Sequence, residues 1–462
     1  MAVYKLVHFS SLSHTKRMDA EYYSPRFEPV LRKLGLLNTV KLKHILVEPV
    51  KTGHTPSMKN SSYYKPKAVK FIKTDNLRED IINTHDIQYL SEIGNSKISR
   101  SELRIDDVIL TIIGATEDII GRAARVFSNL GRANINQNIA LIRSRLPAGY
   151  LVTFLNSYYG REQLIRLSRQ TGQVNLNCRE VEELSVPLFT DKFIFTVHNL
   201  NNQRHNLILQ SEQIYAKAEQ LLLSELGLRD WKPRHTLTYV RSFSQVKQAN
   251  RMDAEHFQPK YEEVLARIHQ YSPKPITSFG SQVLETIKLD ENKIYRYIEI
   301  SDVNTATGEV EFTERVAKEL PANAKIKVEG GELVVSKVRP TRGAIGVIPN
   351  ECRDNGVCSN AFVVLKIPSP EREFLQVYLR STIGKTLLEK PCKGTSYPTI
   401  NDNDVKLLPV PTIAQSKIEQ ISHLVQQSHT ARRESKTLLE KAKRAVEIAI
   451  EEGEERALEF LS

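Results

Sequence analysis

Hydrophobic and polar positions along this chain follow one pattern that is written twice. The run RMDAEYYSPRFEPVLRKL (17–34) recurs as RMDAEHFQPKYEEVLARI (251–268). In each copy a proline, Pro25 after Ser24 and Pro259 after Gln258, opens a predicted helix, because its fixed φ suits a first helical turn. Apolar residues then recur at helical spacing: Phe27, Val30, Leu31 and Leu34 line one face, and Tyr261, Val264, Leu265 and Ile268 repeat it. Short β-rich runs follow in unchanged order. FIKTDNL (71–77) answers to YIEISDV (297–303), DDVILTIIG (106–114) to GGELVVSKV (330–338), IIGRAARV (119–126) to AIGVIPN (344–350), and NQNIALIR (136–143) to CSNAFVVLK (358–366). A helical segment comes next, 151–167 matching 372–388, and then QTGQVNLNCREVEELSVP (170–187) matches CKGTSYPTINDNDVKLLPVP (392–411), each copy leaving on Val-Pro.

Beyond each Val-Pro lies a long stretch free of Gly and Pro, 191–226 and 413–452. A helix of about 36 residues is roughly 54 Å long and must bury its apolar stripe. In the first copy Phe193, Val197, Leu200, Leu207, Ile214, Ala218 and Leu221 fall at alternating spacings of three and four; Ile421, Leu424, Ala431, Leu438, Ala442 and Ala445 do so in the second. Arg204 and Ser211, over Ser428 and Ser435, interrupt both stripes. The expected fold class is therefore α+β: two repeated mixed α/β domains, each followed by a long helix, the two helices pairing as an antiparallel coiled coil. The expected boundaries are 1–190 and 231–412 for the domains, and 191–230 and 413–462 for the helices, which act as spacers and partner-binding elements.

Composition narrows the function. At 462 residues, two domains account for the length. A net charge of +11, from 65 Lys plus Arg against 54 Asp plus Glu, favours a polyanionic partner, with nucleic acid the leading expectation. Cys178, Cys352, Cys358 and Cys392 have no CxxC spacing, and the sequence has no signal peptide or bilayer-spanning run. A cytoplasmic protein with free thiols, no zinc site and no membrane association is expected.

These motifs, in this order and twice over, resemble the specificity (S) subunit of Type I restriction-modification systems. MDAEYYSPRF and MDAEHFQPKY, the turn GHTPS (53–57) before SYYKPKAVKFIKTDNL, the turn IIGATEDIIGRA, the segments NQN and CSN, and the Val-Pro exits carry the resemblance across essentially the whole chain. It implies a non-catalytic subunit that reads an asymmetric bipartite target in double-stranded DNA, one half-site per recognition domain, with the gap set by the helices. It further implies two methyltransferase (M) subunits, which methylate adenine N6, and restriction motor (R) subunits. No cofactor belongs to this subunit; S-adenosylmethionine, ATP and Mg are expected in the partners. The second copy departs from the pattern in lacking a counterpart of GHTPS, its residues 281–296 being acidic and lysine-bearing instead.

Gly384-Lys385-Thr386 imitates the end of a phosphate loop, but the glycine required five residues earlier is Leu379 and the segment reads as helix. Asp19, Glu21, Asp253 and Glu255 lack the partners of a nuclease site and are expected to cap the opening helix or meet a basic surface. The histidines show no metal-ligand spacing, and neither NPPY or DPPY nor a Gly-rich methyl-donor loop is present. DNA contacts must come from loops, where Arg, Lys, Asn, Gln and backbone N–H groups reach phosphates and base edges. The first domain offers Thr55, Ser57, Lys59, Tyr63 and Tyr64, then Lys73, Asn76 and Arg78, then Gln173 and Asn175. The second offers Lys337, Arg339, Thr341 and Arg342, then Lys393, Thr395, Ser396 and Tyr397. Arg339 and Arg342 stand out because a guanidinium can grip guanine O6 and N7 together. The alternative function is a non-catalytic scaffold whose long helices bind protein partners.

Overall fold

The computed structural model describes residues 6, 17–85, 87–171 and 173–462. The chain divides into two compact units, Met1–Leu207 with Arg433–Ser462, and Ile208–Arg432. This division falls inside the two long helices, so each unit contains half of each.

The first unit opens with helix α1 (Glu28–Gly35) and strands β1 (Thr39–Lys41), β2 (Lys51–Thr52) and β3 (Tyr64–Ile72). A hairpin of β4 (Leu77–Arg78) and β5 (Ile81–Ile82) leads to β6 (Gln88–Leu90), helix α2 (Glu92–Ser96), β7 (Val108–Thr111), β8 (Ile113–Gly114) and β9 (Ala123–Arg125). Next come β10 (Ala133–Ile135), β11 (Ile139–Ile142), α3 (Ala148–Asn156), α4 (Tyr158–Leu167), β12 (Arg169–Thr171), β13 (Gln173–Asn175), α5 (Cys178–Glu182), β14 (Ser185–Pro187) and the long α6 (Asp191–Glu225). The second unit has α7 (Phe243–Ala249), α8 (Pro259–His269), β15 (Lys274–Pro275), β16 (Ser281–Gln282), β17 (Ile294–Ile298), β18 (Thr313–Val316) and β19 (Ala324–Val328). It continues through β20 (Leu333–Ser336), β21 (Ile345–Val347), β22 (Gly356–Ser359), β23 (Phe362–Lys366), α9 (Glu371–Arg380), α10 (Thr382–Glu389), α11 (Asp402–Lys406) and β24 (Pro409–Val410) to the second long helix, α12 (Gln415–Glu451). A last helix, α13 (Glu454–Leu461), belongs to the first unit.

The two units share one topology. A sheet ordered β2-β11-β7-β9 in the first matches β16-β23-β20-β21 in the second. In the other sheet β3 pairs parallel with β10 and antiparallel with β6, as β17 does with β22 and β18. The Val-Pro exit strand closes each unit, β14 pairing antiparallel with β1 and β24 with β15. The central strands read as unbroken apolar runs because both of their faces are buried. Val108 and Leu110 point into the core beneath α3 and α4, whereas Ile109 points into a second core between the sheets. Leu333, Val335 and Val334 divide in the same way in the second unit. Burying each such side chain stabilises by about 1.5–3 kcal/mol.

The repeated RMDA motif is a clip. Arg17 donates to the Leu167 and Ser168 carbonyls at 2.7 and 2.9 Å, where α4 ends, while Asp19 accepts from it at 2.6 and 2.5 Å. Arg251 donates to the Pro391 and Cys392 carbonyls at 2.8 and 2.7 Å and to Asp253 at 2.8 and 2.6 Å. A guanidinium is suited to this because carbonyls beyond a helix end lack intrahelical donors. The arginine's hydrogen bond holds each aspartate below the usual carboxylate range. The helix-cap expectation for these carboxylates is thus corrected: the openings of α1 and α8 have no side-chain cap, and Glu255 meets His235 at 3.1 Å.

Gly384 lies in helix α10, not in a phosphate loop. A Cβ there would sit 2.2 Å from the Tyr378 carbonyl oxygen, and one at Gly160 would sit 2.1 Å from that of Phe154, so close helix approach requires both glycines. The four cysteines are free. Among the described residues, no helix is long and apolar enough to cross a membrane.

Within each unit the halves of α6 and α12 run antiparallel. In the first, Phe193 and Val197 share a core with Ala445, Val446 and Ala449; in the second, Ala218 and Leu222 share one with Ile418, Ile421 and Val425. Val197, Ala218, Ile421, Ala442 and Ala445 are buried as expected. The other half of the expected stripe is displaced by one residue. Leu200, Leu207, Ile214, Leu221, Leu424 and Leu438 are only half-buried, while Asn201, Leu222, Val425 and Leu439 are buried beside them. Nor do the polar residues interrupt the seam: Arg204, Ser211, Ser428 and Ser435 are buried in it. Ser211 and Ser428 meet Oγ to Oγ at 2.9 Å, a polar contact of the kind that fixes helix register.

Candidate nucleic-acid interface

In the first unit the GHTPS turn follows β2 directly. Gly53 is there because a Cβ would sit 1.8 Å from the Ile135 carbonyl oxygen, so only glycine lets the turn pass over the end of β10. The Tyr64 hydroxyl donates to the Pro56 carbonyl at 2.6 Å, and Thr55 Oγ1 donates to Gln137 Oε1 at 2.5 Å. The NQN segment (136–138) is the hub. The Asn136 amide donates to the Ile72 carbonyl, beside Lys73, and the Asn138 carbonyl accepts from the Ile112 amide at the start of β8. β8 in turn pairs with β13, Gly114 opposite Val174 and Ile113 opposite Asn175. Thr55 thus meets Gln137, a residue absent from the contacts expected from sequence, and backbone bonds tie the NQN segment to the strand end before Lys73 and, through β8, to Asn175. Lys59 is exposed on the adjoining loop.

Other expected contacts in this unit are turned to structural use. Both ends of the Asn76 carboxamide are occupied, Oδ1 by the Lys73 amide at 2.9 Å and Nδ2 on the Asn83 carbonyl at 3.1 Å, so it fixes a turn. The Tyr64 hydroxyl pins the GHTPS turn, and the Tyr63 carbonyl accepts from the Ser91 amide before α2. Arg78 is exposed on the β4–β5 hairpin, whose tip carries Asp80 into α6. Gln173 lies on β13, but its side chain falls outside the described residues.

The second unit brings two loops together in the same place. Val338 bridges to Thr399, the Ile400 amide donates to the Lys337 carbonyl at 3.0 Å, and the Arg339 amide donates to the Pro398 carbonyl at 2.7 Å. These are the same pairings that join β8 to β13, with Arg339 at the place of Gly114 and Tyr397 at that of Gln173. Arg339 has φ +48° and stacks its guanidinium 4.2 Å from the centre of the exposed Tyr397 ring, with Nη2 donating to the Ser396 carbonyl at 3.2 Å. Arg342, Lys393, Thr395 and Ser396 are exposed around this stack, and Thr341 is half-buried. Lys337, an expected DNA contact, pairs its Nζ with Asp402 at 3.0 Å, and Asp402 also accepts from Gln282 at 2.6 Å. Burial raises the Asp402 carboxyl, but these bonds outweigh it and hold the group low.

Each unit also fixes its strand-to-strand turn on a long helix. In the first, Asp80, fully buried at the β4–β5 tip with φ +50°, accepts from Arg204 at 2.7 Å and from Asn201 at 2.6 Å. Burial pushes its carboxyl up against the pull of Arg204. In the second, Glu309, from the matching turn, lies 3.8 Å from Arg432, which also stands 3.5 Å from Glu212.

The geometry defines a class: a duplicated α+β protein in which each unit holds two loops together by the same strand pairings. In sequence the chain is similar to a specificity subunit of a Type I restriction enzyme, that of EcoBI from Escherichia coli. The two are 22% identical over 160 residues, which covers 33% of this chain and 30% of the relative. No family model matches the chain. Among solved structures, the S subunit of a Type I restriction-modification system from M. genitalium aligns over 90% of this chain and 95% of its own, at 11% identity and a TM-score of 0.38. The HsdS subunit from Thermoanaerobacter tengcongensis aligns over 90% and 97%, at 14% identity and a TM-score of 0.29.

Proposed function

We propose that this chain is the sequence-specific DNA-binding subunit of a Type I restriction-modification complex. It reads a bipartite target in double-stranded DNA with one loop patch per unit and directs methyltransferase and restriction subunits to it. The observation that carries this reading is the pair of loops: matching backbone pairings hold residues 113–114 to 174–175 in one unit and 338–339 to 398–399 in the other, leaving Asn175 at the first and the Arg339–Tyr397 stack, with exposed Arg342 and Lys393 beside it, at the second. A constant scaffold bearing different donors and acceptors is what two different half-sites require. The excess of basic residues supports phosphate contact. Chemistry on the base, with S-adenosylmethionine, ATP and Mg, belongs to the partner subunits.

The test is to express the chain with the methyltransferase encoded beside its gene and to sequence the methylated bases of the host. A single bipartite adenine-methylated motif is expected. Methylation without this chain, or at a continuous motif, would count against the reading. If the duplex binds equally well at any sequence, a scaffold role remains.

A further inference from the structure

Residues 49–74 of the first unit hold six lysines and no aspartate or glutamate. Three of these lysines are used inside the unit. Lys51 pairs with Glu48 at 2.8 Å, Lys70 donates to the Leu130 carbonyl, and Lys73 lies 5.6 Å from the centre of the Phe71 ring. The other three, Lys59, Lys65 and Lys67, are exposed, and their ammonium groups have no partner among the described residues.

The backbone projects two of them. β3 meets Leu90 of β6 twice, at Tyr64 and again at Val69, so residues 65–68 are looped out of the ladder. Pro66 has no N–H to offer a ladder, and Lys67 stands at φ +61°, a left-handed conformation that a lysine adopts at a cost. Bulges re-aim side chains, and this one carries Lys65, Pro66 and Lys67 into solvent. Neighbouring carboxylates do not neutralise them. β6 and β10 have none, Glu92 of α2 and Glu102 both pair with Arg132, at 2.7 and 3.0 Å, and Asp75 follows the far end of β3. The second unit has neither feature. β17 pairs with β18 residue for residue from Ile294 to Tyr297, and the loop before it, 283–293, sets Glu285, Asp290 and Glu291 against Lys288 and Lys293.

We propose that Lys59, Lys65 and Lys67 grip the phosphate backbone of duplex DNA whatever its sequence, a hold that the matching loop of the second unit does not add. This rests on the function proposed above and assigns the charge-driven part of binding to one unit. An ammonium is a point charge on a flexible stem, without the planar fork by which arginine selects a base, so it suits phosphate oxygens. Ser57, Asn60 and Ser61 around it are exposed and polar, and Met58 alone among residues 57–67 is a large apolar side chain in the open. A protein partner would need an apolar or aromatic centre, which this loop lacks.

The experiment measures affinity of the full-length chain, together with the methyltransferase encoded beside its gene, for a duplex carrying the methylated motif and for an unrelated duplex, across about 50–200 mM salt. Each phosphate contact contributes about 0.9 to the slope of log affinity against log salt. The triple variant Lys59→Gln, Lys65→Gln, Lys67→Gly is expected to flatten that slope by about three on both duplexes and to leave the methylated motif unchanged. Lys67→Gly alone is expected to flatten it by about one without lowering the melting temperature, because glycine accepts a positive φ freely. Lys288→Gln, in the matching loop, keeps the wild-type slope. If Lys67→Gly melts early, Lys59→Gln with Lys65→Gln decides, by a slope flattened by about two. A wild-type slope in the triple variant overturns the proposal, as does a flattening of about one by Lys288→Gln. So does a loss confined to the target duplex, since the lysines then read bases, or weakened methyltransferase affinity with duplex binding unchanged, since the occupant is then a protein. If the wild-type complex binds neither duplex at any salt, the proposed function itself fails.

Discussion

In the first unit the loop after the central strand joins a three-stranded sheet with β12 and β13; in the second, the same loop is held by one bridge, Val338 to Thr399, and by a guanidinium stacked on a ring. The Arg17 and Arg251 clips, by contrast, are nearly superimposable in their contacts. Each binds two successive carbonyls and an aspartate two residues on. The difference separates two kinds of residue. The clip residues stay the same in both copies, because both copies have the carbonyls they bind. Those whose partner is a side chain at a loop tip have diverged, because nothing in the core depends on them.

The largest expected effect lies where the helix docks differ. Asp80→Ala should cost about 3–5 kcal/mol, since it leaves Arg204 buried without its counter-charge, whereas Glu309→Ala should cost under about 1 kcal/mol, its pair being long and shared. Chemical denaturation of the two variants checks this, and equal losses would erase the distinction between the docks. Next in size, Arg17→Ala and Arg251→Ala should each cost about 2–3 kcal/mol and by similar amounts, because both clips make the same charge-assisted bonds. Arg339→Ala should weaken specific binding by about 1–3 kcal/mol and relax the second half-site alone, scored by methylome sequencing; relaxation of both halves would show that the patches are not independent.

The smallest effect concerns a turn the copies build with different residues. Asn76 in one and Asp302 in the other accept the amide three residues back, at 2.9 and 2.8 Å. Burial raises the Asp302 carboxyl to about 6, against the bond from the Glu299 amide. A carboxyl raised on folding favours the folded chain most when protonated, so its contribution is greatest below its ordinary value of 3.8 and declines as pH rises to about 6. Asp302→Asn should remove that decline and stabilise at pH 7.5 by about 1 kcal/mol, the partial exposure of the group keeping the gain small. Thermal melting at pH 4 and 7.5 compares the two; an unchanged difference between those pH values would assign the dependence elsewhere.

The duplication, the order of the strands and the rejection of a phosphate loop at Gly384 were legible in the sequence, because motif order and spacing encode them. The helix seam was legible only in part. Leu200 and Leu207 outrank Asn201 and Arg204 on hydrophobicity alone, yet the seam turns toward the polar pair because Asp80, far away in sequence, is buried against it. At the patches, neighbouring turns already use the side chains of Asn76 and Lys337, a commitment that becomes visible only once Asn83 and Asp402 are folded beside them. Gln137 could have been found from NQN, since two amides flanking a third at a strand entrance have little to do in a core.

The first unit is built from both sides of the second. Ala445, Val446, Ala449 and Ala457 fill its core, and Glu454 accepts from the Thr190 amide and hydroxyl at the start of α6. During synthesis this unit is therefore begun first and finished last. Residues 17–207 leave the ribosome with their core still open, wait while 208–432 are made and fold as an uninterrupted stretch, and close only when 433–461 emerge. A chain whose translation stops inside α12 would leave the apolar flank of the first unit open, the kind of surface that chaperones and proteases engage.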